Sequence, residues 1–511
     1  MEELKTQGCL GNPEILDVRP PFSNFDFVED RFGGECVPIR RIFSQARMGG
    51  FSTLVIEEIP SVGLSKEDDT DLIEAGLKPI NRPLYRLTFF KSIFANAVDI
   101  QNQSNEDFLG YAILKAVPTG NRFRWIVFES VTNPARHDNN FYHATREYKV
   151  SSHNKIFSIK GNIYCQQNDL TNVCAHVALR TCISMVEGFN DFSYREMNRI
   201  LKAKGFPHGV GEPLSIVQIK TVLDSLGIKY SDQWYPLTGE QPNVPFQKYL
   251  YASVESGYPA LLGFTFGGAS GHIIPVIGHT FNEDTWVPNA ETSYFTIGKD
   301  TRYVPSELWV SSYICHDDNF GSHFCLPRQY MSKNSELFVI AIKPKQVKYD
   351  AINAEAIAVD YLYSIAVNMI PNEVNRWLRR LREAILIKSG WVVLRTIFMS
   401  GKEYIDHLRG SKGWQDEIID PKVLDVLENG LKGYYWVVEI SLPELFPANR
   451  RKLGEIVLNA EVELSKELDL STYVLARLPG QFYFFGLDEN SKIFVQKRDC
   501  GIKTHSRVFS E

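Results

Sequence analysis

From Cys174 onward, apolar or small residues recur at Val177, Ala178, Thr181, Cys182 and Met185, one stripe of a helix with 3.6 residues per turn. The stretch "YCQQNDLTNVCAHVALRTCISMV" (164–186) therefore commits this part of the chain to a helix with one buried face, and it opens that helix with a cysteine. Downstream the periodicity changes to strands: "PALLGFTF" (259–266), "HIIPVIGHTF" (272–281), "LWVSSYICH" (308–316) and "ELFVIAI" (336–342). A helical half followed by a sheet half is an α+β arrangement, and it occupies residues 151–345.

Two further regions flank it. Residues 1–150 carry strand-like runs at 52–59, 84–90, 108–117 and 123–131, and a short helix over 66–76 that starts after Ser65 as N-cap and stops at Gly76. Residues 346–511 open with a helical pattern over 354–369, broken at Pro371 and resumed over 372–390. Strands follow at 391–399, 434–442 and 473–487. This predicts a sheet-containing N-terminal domain without a chemical motif and a C-terminal α+β domain of accessory or regulatory character. The 511-residue length accommodates three domains.

Composition narrows the function classes. A formal net charge of −6 argues against a nucleic-acid-binding chain, and the basic run "RWLRRLRE" (376–383) reads as the solvated side of an amphipathic helix. No apolar run reaches the roughly eighteen residues of a membrane span, and "MEELKTQGCLGNPEILDVRPPF" lacks an apolar signal core. The eight cysteines, spread along a long chain, read as reduced thiols. These features predict a cytoplasmic protein with no membrane and no nucleic-acid partner.

The chemistry converges on the central region. Thr171 or Asn172 is an N-cap candidate that would put Cys174 in the first helical turn. There, unpaired backbone N–H groups and the helix dipole favour a thiolate and can bind an oxyanion, with Gln166 or Gln167 as a side-chain donor. His272 follows a glycine-rich turn at the mouth of a strand and is the candidate base. His279, seven residues on, points to the opposite face and reads as structural, and His176 reads as packing or a supporting hydrogen bond. Asp317 and Asp318 stand at the end of the 308–316 strand as candidates to orient His272, with Asn289 as a further candidate.

Taken in order, "QQNDLTNVCAHVAL", "GHIIPVIG" and "DDNFG" resemble the papain-like cysteine peptidase superfamily, most of all the compact bacterial branch that processes bacteriocin leaders at double-glycine sites. The resemblance is confined to the central region. It implies a papain-like fold there and a Cys174–His272–Asp triad with Gln166 or Gln167 in the oxyanion hole. Asp317, four before Gly321, fits the bacterial branch, and Asp318, three before it, fits papain. The implied activity is hydrolysis of a peptide or isopeptide bond through a thioester, without cofactor or metal. The substrate would be a protein or peptide, and a protein partner could dock on the flanking domains.

Three other readings stand beside it: a catalytically inactive papain-like interaction module, a transglutaminase-like acyl transferase, and a zinc site built from Cys315, His316, His323 and Cys325. The zinc reading lacks the paired C-x-x-C spacing of structural zinc sites.

Overall fold

The β-branched and aromatic runs of the first 132 residues pair with one another in chain order. β1 (Glu14–Asp17), β2 (Thr53–Ile59), β3 (Leu84–Phe90), β4 (Phe108–Thr119) and β5 (Arg122–Thr132) form an antiparallel meander. The structure is a computed structural model that describes residues 4–509 except 34–35, 134–139, 143–145, 172, 187, 190, 207–212, 267–269, 285–295, 298–300, 330–335, 370–373, 387–391, 448, 465–471 and 488–492. It is α+β and divides into two units that share the sequence discontinuously. Unit 1 holds Met1–Ile228, Pro259–Gly278 and Tyr313–Phe338, and unit 2 holds Lys229–Tyr258, His279–Ser312 and Val339–Glu511.

In unit 1 both faces of the meander are buried, which follows from strands that are apolar on both parities. Leu54 and Ile56 of β2 pack with Ile39, Ile42 and Phe43 of a helix, whereas Val55 packs on the other side with Tyr148, Val150, Phe157 and Ile159. That helix (Val37–Met48) is α2 and is preceded by α1 (Asn24–Phe32); neither is anticipated by the sequence pattern. α3 (Leu64–Glu74) begins two residues before the expected start. Ser65 is not its N-cap: the cap is Gly63, and the buried Ser65 hydroxyl donates to the Val62 carbonyl at 2.9 Å.

α4 (Cys174–Met185) is the expected cysteine-led helix. Val177 joins the core beneath the meander, and Met185 packs with Ile277 and Ile314 of a second sheet. Its orientation is fixed by Arg180, a fully buried guanidinium. Arg180 donates to Glu129 of β5 at 2.9 Å, to both oxygens of Asp191 at 2.7 Å and to Cys165 Sγ at 3.2 Å. Lys5 lies 3.7 Å from each of the same two carboxylates.

The second sheet sets strands Gly321–Pro327, Val310–Asp317, Ser270–Phe281 and Ala260–Phe266 side by side in that order. The last two are antiparallel with Phe264 opposite His272. At Gly321, beyond the end of the expected 308–316 strand, the chain continues into a further strand. α2 holds that strand: Arg41 donates to the carbonyls of Ser322 and His323, and Gln45 donates to Ser322 at 3.0 Å. The approach is close enough to require glycine. Gly321 has φ +108°, and a Cβ there would meet Arg41 and Pro38 atoms at 3.0–3.3 Å.

Unit 2 is built on strands Val304–Pro305, Val393–Ser400, Tyr434–Ser441, Gly454–Asn459, Tyr473–Leu478, Gln481–Leu487 and Ile493–Asp499, in that order. The run "YVLARLPGQFYFFGL" is therefore a hairpin and not one strand; Leu478 pairs with Gln481 across the Pro479–Gly480 turn, where Gly480 supplies φ +82°. Helices Ala351–Ser364 and Arg376–Leu386 cover one face, and Gly401–Gly410 and Pro421–Gly430 the other. Arg376–Leu386 is amphipathic as expected, burying Leu378, Leu381, Ala384 and Ile385. Between the strands runs a buried chain of ions, Glu255–Arg395–Glu439–Lys452–Glu455–Arg477.

Removing the Arg180 charge leaves Glu129 and Asp191 without their main partner in an apolar surround. Arg180→Met should lower unfolding stability by about 3–5 kcal/mol, the usual cost of breaking a buried ion pair from one side. Chemical denaturation of wild type and variant checks this; a loss below about 1 kcal/mol would show that the cluster does not hold α4.

Candidate active site

The segment leading into α4 is extended and pinned to β5: Tyr164 exchanges hydrogen bonds with Ser130 at 2.8 Å, and the Gln166 N–H donates to the Val127 carbonyl at 2.9 Å. Asn168 then turns the chain. Its Oδ1 accepts from the N–H groups of Leu170 (2.9 Å) and Thr171 (3.0 Å) and from the Thr171 hydroxyl (3.1 Å). Thr171 is thus committed to Asn168 and is not the helix cap, and Asn172 lies outside the described residues. The N-cap is Val173, which offers no side-chain acceptor, so α4 begins at Cys174 with first-turn N–H groups that no side chain caps among the described residues. Such amides can receive an anion.

Cys174 is half-buried. Its side chain interacts with that of His272. His272 sits on strand Ser270–Phe281, with the Phe264 ring edge-on at 5.4 Å. The imidazole Nε2 lies 3.4 Å from Asp317 Oδ2 and 3.3 Å from Asp318 Oδ1. The shorter distance is not the hydrogen bond. The Nε2–H direction satisfies Asp317, whereas both Asp318 oxygens are buried and accept no directed hydrogen bond among the described residues. Asp317 is itself positioned, since its Oδ1 accepts from the N–H groups of Asn319 (2.8 Å) and Phe320 (3.0 Å). The geometry thus separates two aspartates that spacing alone leaves equivalent.

The electrostatics follow from this packing. Burial alone would lower the His272 pKa, but the hydrogen bonds to Asp317 and Cys174 and the charge of Asp318 push it up to about 10. Burial opposes ionisation of Asp317, yet His272 and the two backbone donors hold its carboxyl below the ordinary value. Asp318 goes the other way: burial, reinforced by the neighbouring Asp317 charge, raises it to about 6 against the pull of His272. One imidazolium therefore faces two carboxylates and pairs fully with one.

The two glutamines differ in restraint. Gln166 Oε1 accepts from the Val127 N–H at 3.0 Å, which fixes its side chain. Gln167 is half-buried and its side chain makes no hydrogen bond among the described residues. Gln166 also shares its side of the extended segment with Tyr164, whose hydroxyl lies 3.5 Å from the Asp318 carbonyl.

The remaining candidates fall elsewhere. Asn289 lies outside the described residues. His279 is fully buried and pairs with Glu255 at 2.8 Å, and His176 bonds Asn198 at 2.8 Å beneath Tyr194. The four residues of the zinc reading do not converge. Cys315 donates to the Phe324 carbonyl, Cys325 is exposed, His323 is held between Gln45 and Tyr142, and His316 is buried between the rings of Tyr164 and His323. Among the described residues, the group whose donor atoms could share an ion is His272, Asp317 and Asp318. Sequence reasoning missed Asn168 and Tyr164; the Asn-Asp-Leu-Thr run carries an Asx-turn signal that points to the first.

No family model matches the chain, and no curated protein matches it.

A base held as imidazolium has a consequence for pH. Because the folded pKa of His272 lies above its unfolded value near 6.5, its stabilising contribution is complete below about pH 6.5 and disappears as pH rises toward about 10. Imidazole resonances followed by NMR should give a His272 midpoint near 10, lowered in Asp317→Asn. A midpoint near 6.5 in the folded wild-type protein would contradict the geometry.

Proposed function

We propose that this chain is a papain-like cysteine peptidase that hydrolyses a peptide or isopeptide bond through a thioester. The carrying observation is the arrangement around His272: its Nε2 is bonded to the Asp317 carboxylate, and its side chain interacts with that of Cys174. Three separate chain segments deliver these groups. A cysteine at a helix start, packed against an antiparallel sheet that carries the histidine and the aspartate, is the arrangement that the sequence resemblance implies.

Each group then has a chemical task. With Nε2 engaged by the carboxylates, Nδ1 is the ring nitrogen that holds the proton given up by Cys174, so the pair acts as thiolate and imidazolium, and Asp317 orients the ring and stabilises its charge. The thiolate attacks the carbonyl carbon of the substrate. Negative charge that develops on the carbonyl oxygen is met by the uncapped first-turn N–H of Cys174 and by the Gln166 amide, which Val127 holds in place before substrate arrives. His272 returns its proton to the leaving amine. Water, activated by the same imidazole, then resolves the thioester and frees the thiol. Peptides are the fitting substrates because this machinery acts on an unactivated acyl carbon and needs no cofactor.

The test compares thiols within one chain. An electrophilic peptide probe should label Cys174 ahead of the exposed Cys325, and Cys174→Ala and His272→Ala should each lower peptide hydrolysis by about 10³-fold or more. Gln166→Ala should cost about 10²-fold in kcat, with Gln167→Ala near wild type. Labelling of Cys174 no faster than Cys325 would sink the proposal and leave an inactive module.

A further inference from the structure

Asp318 has no task in the mechanism above, yet it is 4% exposed, lies 3.3 Å from the catalytic imidazole and accepts no directed hydrogen bond among the described residues. A buried carboxylate without hydrogen bonds is costly, and a single imidazolium beside two carboxylates leaves one negative charge uncompensated. A dication would balance both. We propose that His272, Asp317 and Asp318 form a binding site for a divalent transition-metal ion of the zinc type, and that its occupancy keeps Cys174 latent.

The geometry fits such an ion. Zinc bonds of about 2.0–2.2 Å to nitrogen and oxygen in a tetrahedron set donors about 3.3–3.5 Å apart. The two His272–carboxylate separations are 3.4 and 3.3 Å, and the three donor atoms all lie within 4.8 Å of one another. Asp317 is oriented by the Asn319 and Phe320 N–H groups on its other oxygen, the kind of outer support that metal-binding carboxylates use. A nitrogen donor with only two carboxylates suits zinc or cobalt and not calcium or magnesium, which favour more numerous oxygen donors. Three protein donors leave a fourth position for water.

The consequence for the thiol is a matter of tautomers. The ion takes the Nε2 lone pair and sends that proton to solvent, so the remaining ring proton stays on Nδ1. The imidazolium that pairs with the Cys174 sulfur is thereby converted to a neutral, metal-bound ring, and the thiolate loses that cationic partner. Inhibition in this arrangement arises at Nε2, and Cys174 is not a ligand. This effect on reactivity rests on the Cys174–His272 pairing proposed above, whereas binding of the ion does not.

The full-length chain, stripped with a chelator, is titrated with zinc by calorimetry, with magnesium as control. Wild type and Cys174→Ala should each bind one zinc, magnesium should not compete, and Asp318→Asn should weaken binding by about tenfold or more. In Cys174→Ala, zinc should shift the His272 Nε2 nitrogen-15 resonance and leave Nδ1 protonated, a readout that stands even if Asp318→Asn does not fold. Zinc should also slow alkylation of Cys174 by iodoacetamide in wild type but not in Asp318→Asn. No zinc binding by wild type, loss of binding in Cys174→Ala, or a shift at Nδ1 would overturn the proposal. Slow alkylation of Cys174 without zinc, with binding intact, would instead count against the peptidase reading alone.

Discussion

Arg180 is the interaction on which the candidate site depends. A guanidinium removed from water must be met on all sides, and here Glu129, Asp191 and Cys165 meet it. The fork geometry of the pair fixes direction as well as distance, so α4 has one rotation and one height against β5. Cys174 lies six residues earlier on the same rigid helix, about 9 Å along its axis. A buried ion pair far from the sulfur thereby sets where the sulfur is. The opposite wall is held by equally specific means: Arg41 and Gln45 grip the backbone after Gly321, and the turn before it presents Asp317.

What the sequence made legible was local and periodic. The stripe from Cys174 to Met185, the apolar strands around His272 and the strand that ends at Asp317 all announce themselves within a dozen residues, because burial on one face forces the spacing. Less legible was whatever depends on a distant partner. Thr171 looked like a cap because it precedes a helix, but Asn168 competes for its hydroxyl, and this competition is visible only when the turn is built. α1 and α2 bury their apolar residues against strands that come later in the chain, so their own patterns are short and mixed. The difference between Asp317 and Asp318 lies in the direction of one N–H bond, which no spacing encodes. Regions read in sequence order assume continuous domains, and the two units here exchange the chain between residues 228 and 339.

Both units bury charges inside sheets. In unit 2, Arg395, Glu439, Glu455 and Arg477 occupy strand positions that an alternating pattern would give to solvent, yet each is within reach of an opposite charge. The charged residues of these strands thus do not mark an exposed face. They tie neighbouring strands together, and their cost of burial makes mispaired registers unfavourable.

The discontinuous division also orders events in time. Cys174 leaves the ribosome well before His272, and Asp317 follows later still, on the last segment that unit 1 receives. At about 5–20 residues per second, Asp317 follows Cys174 by roughly seven to thirty seconds. During that interval the nascent chain carries Cys174 without His272 and Asp317 beside it.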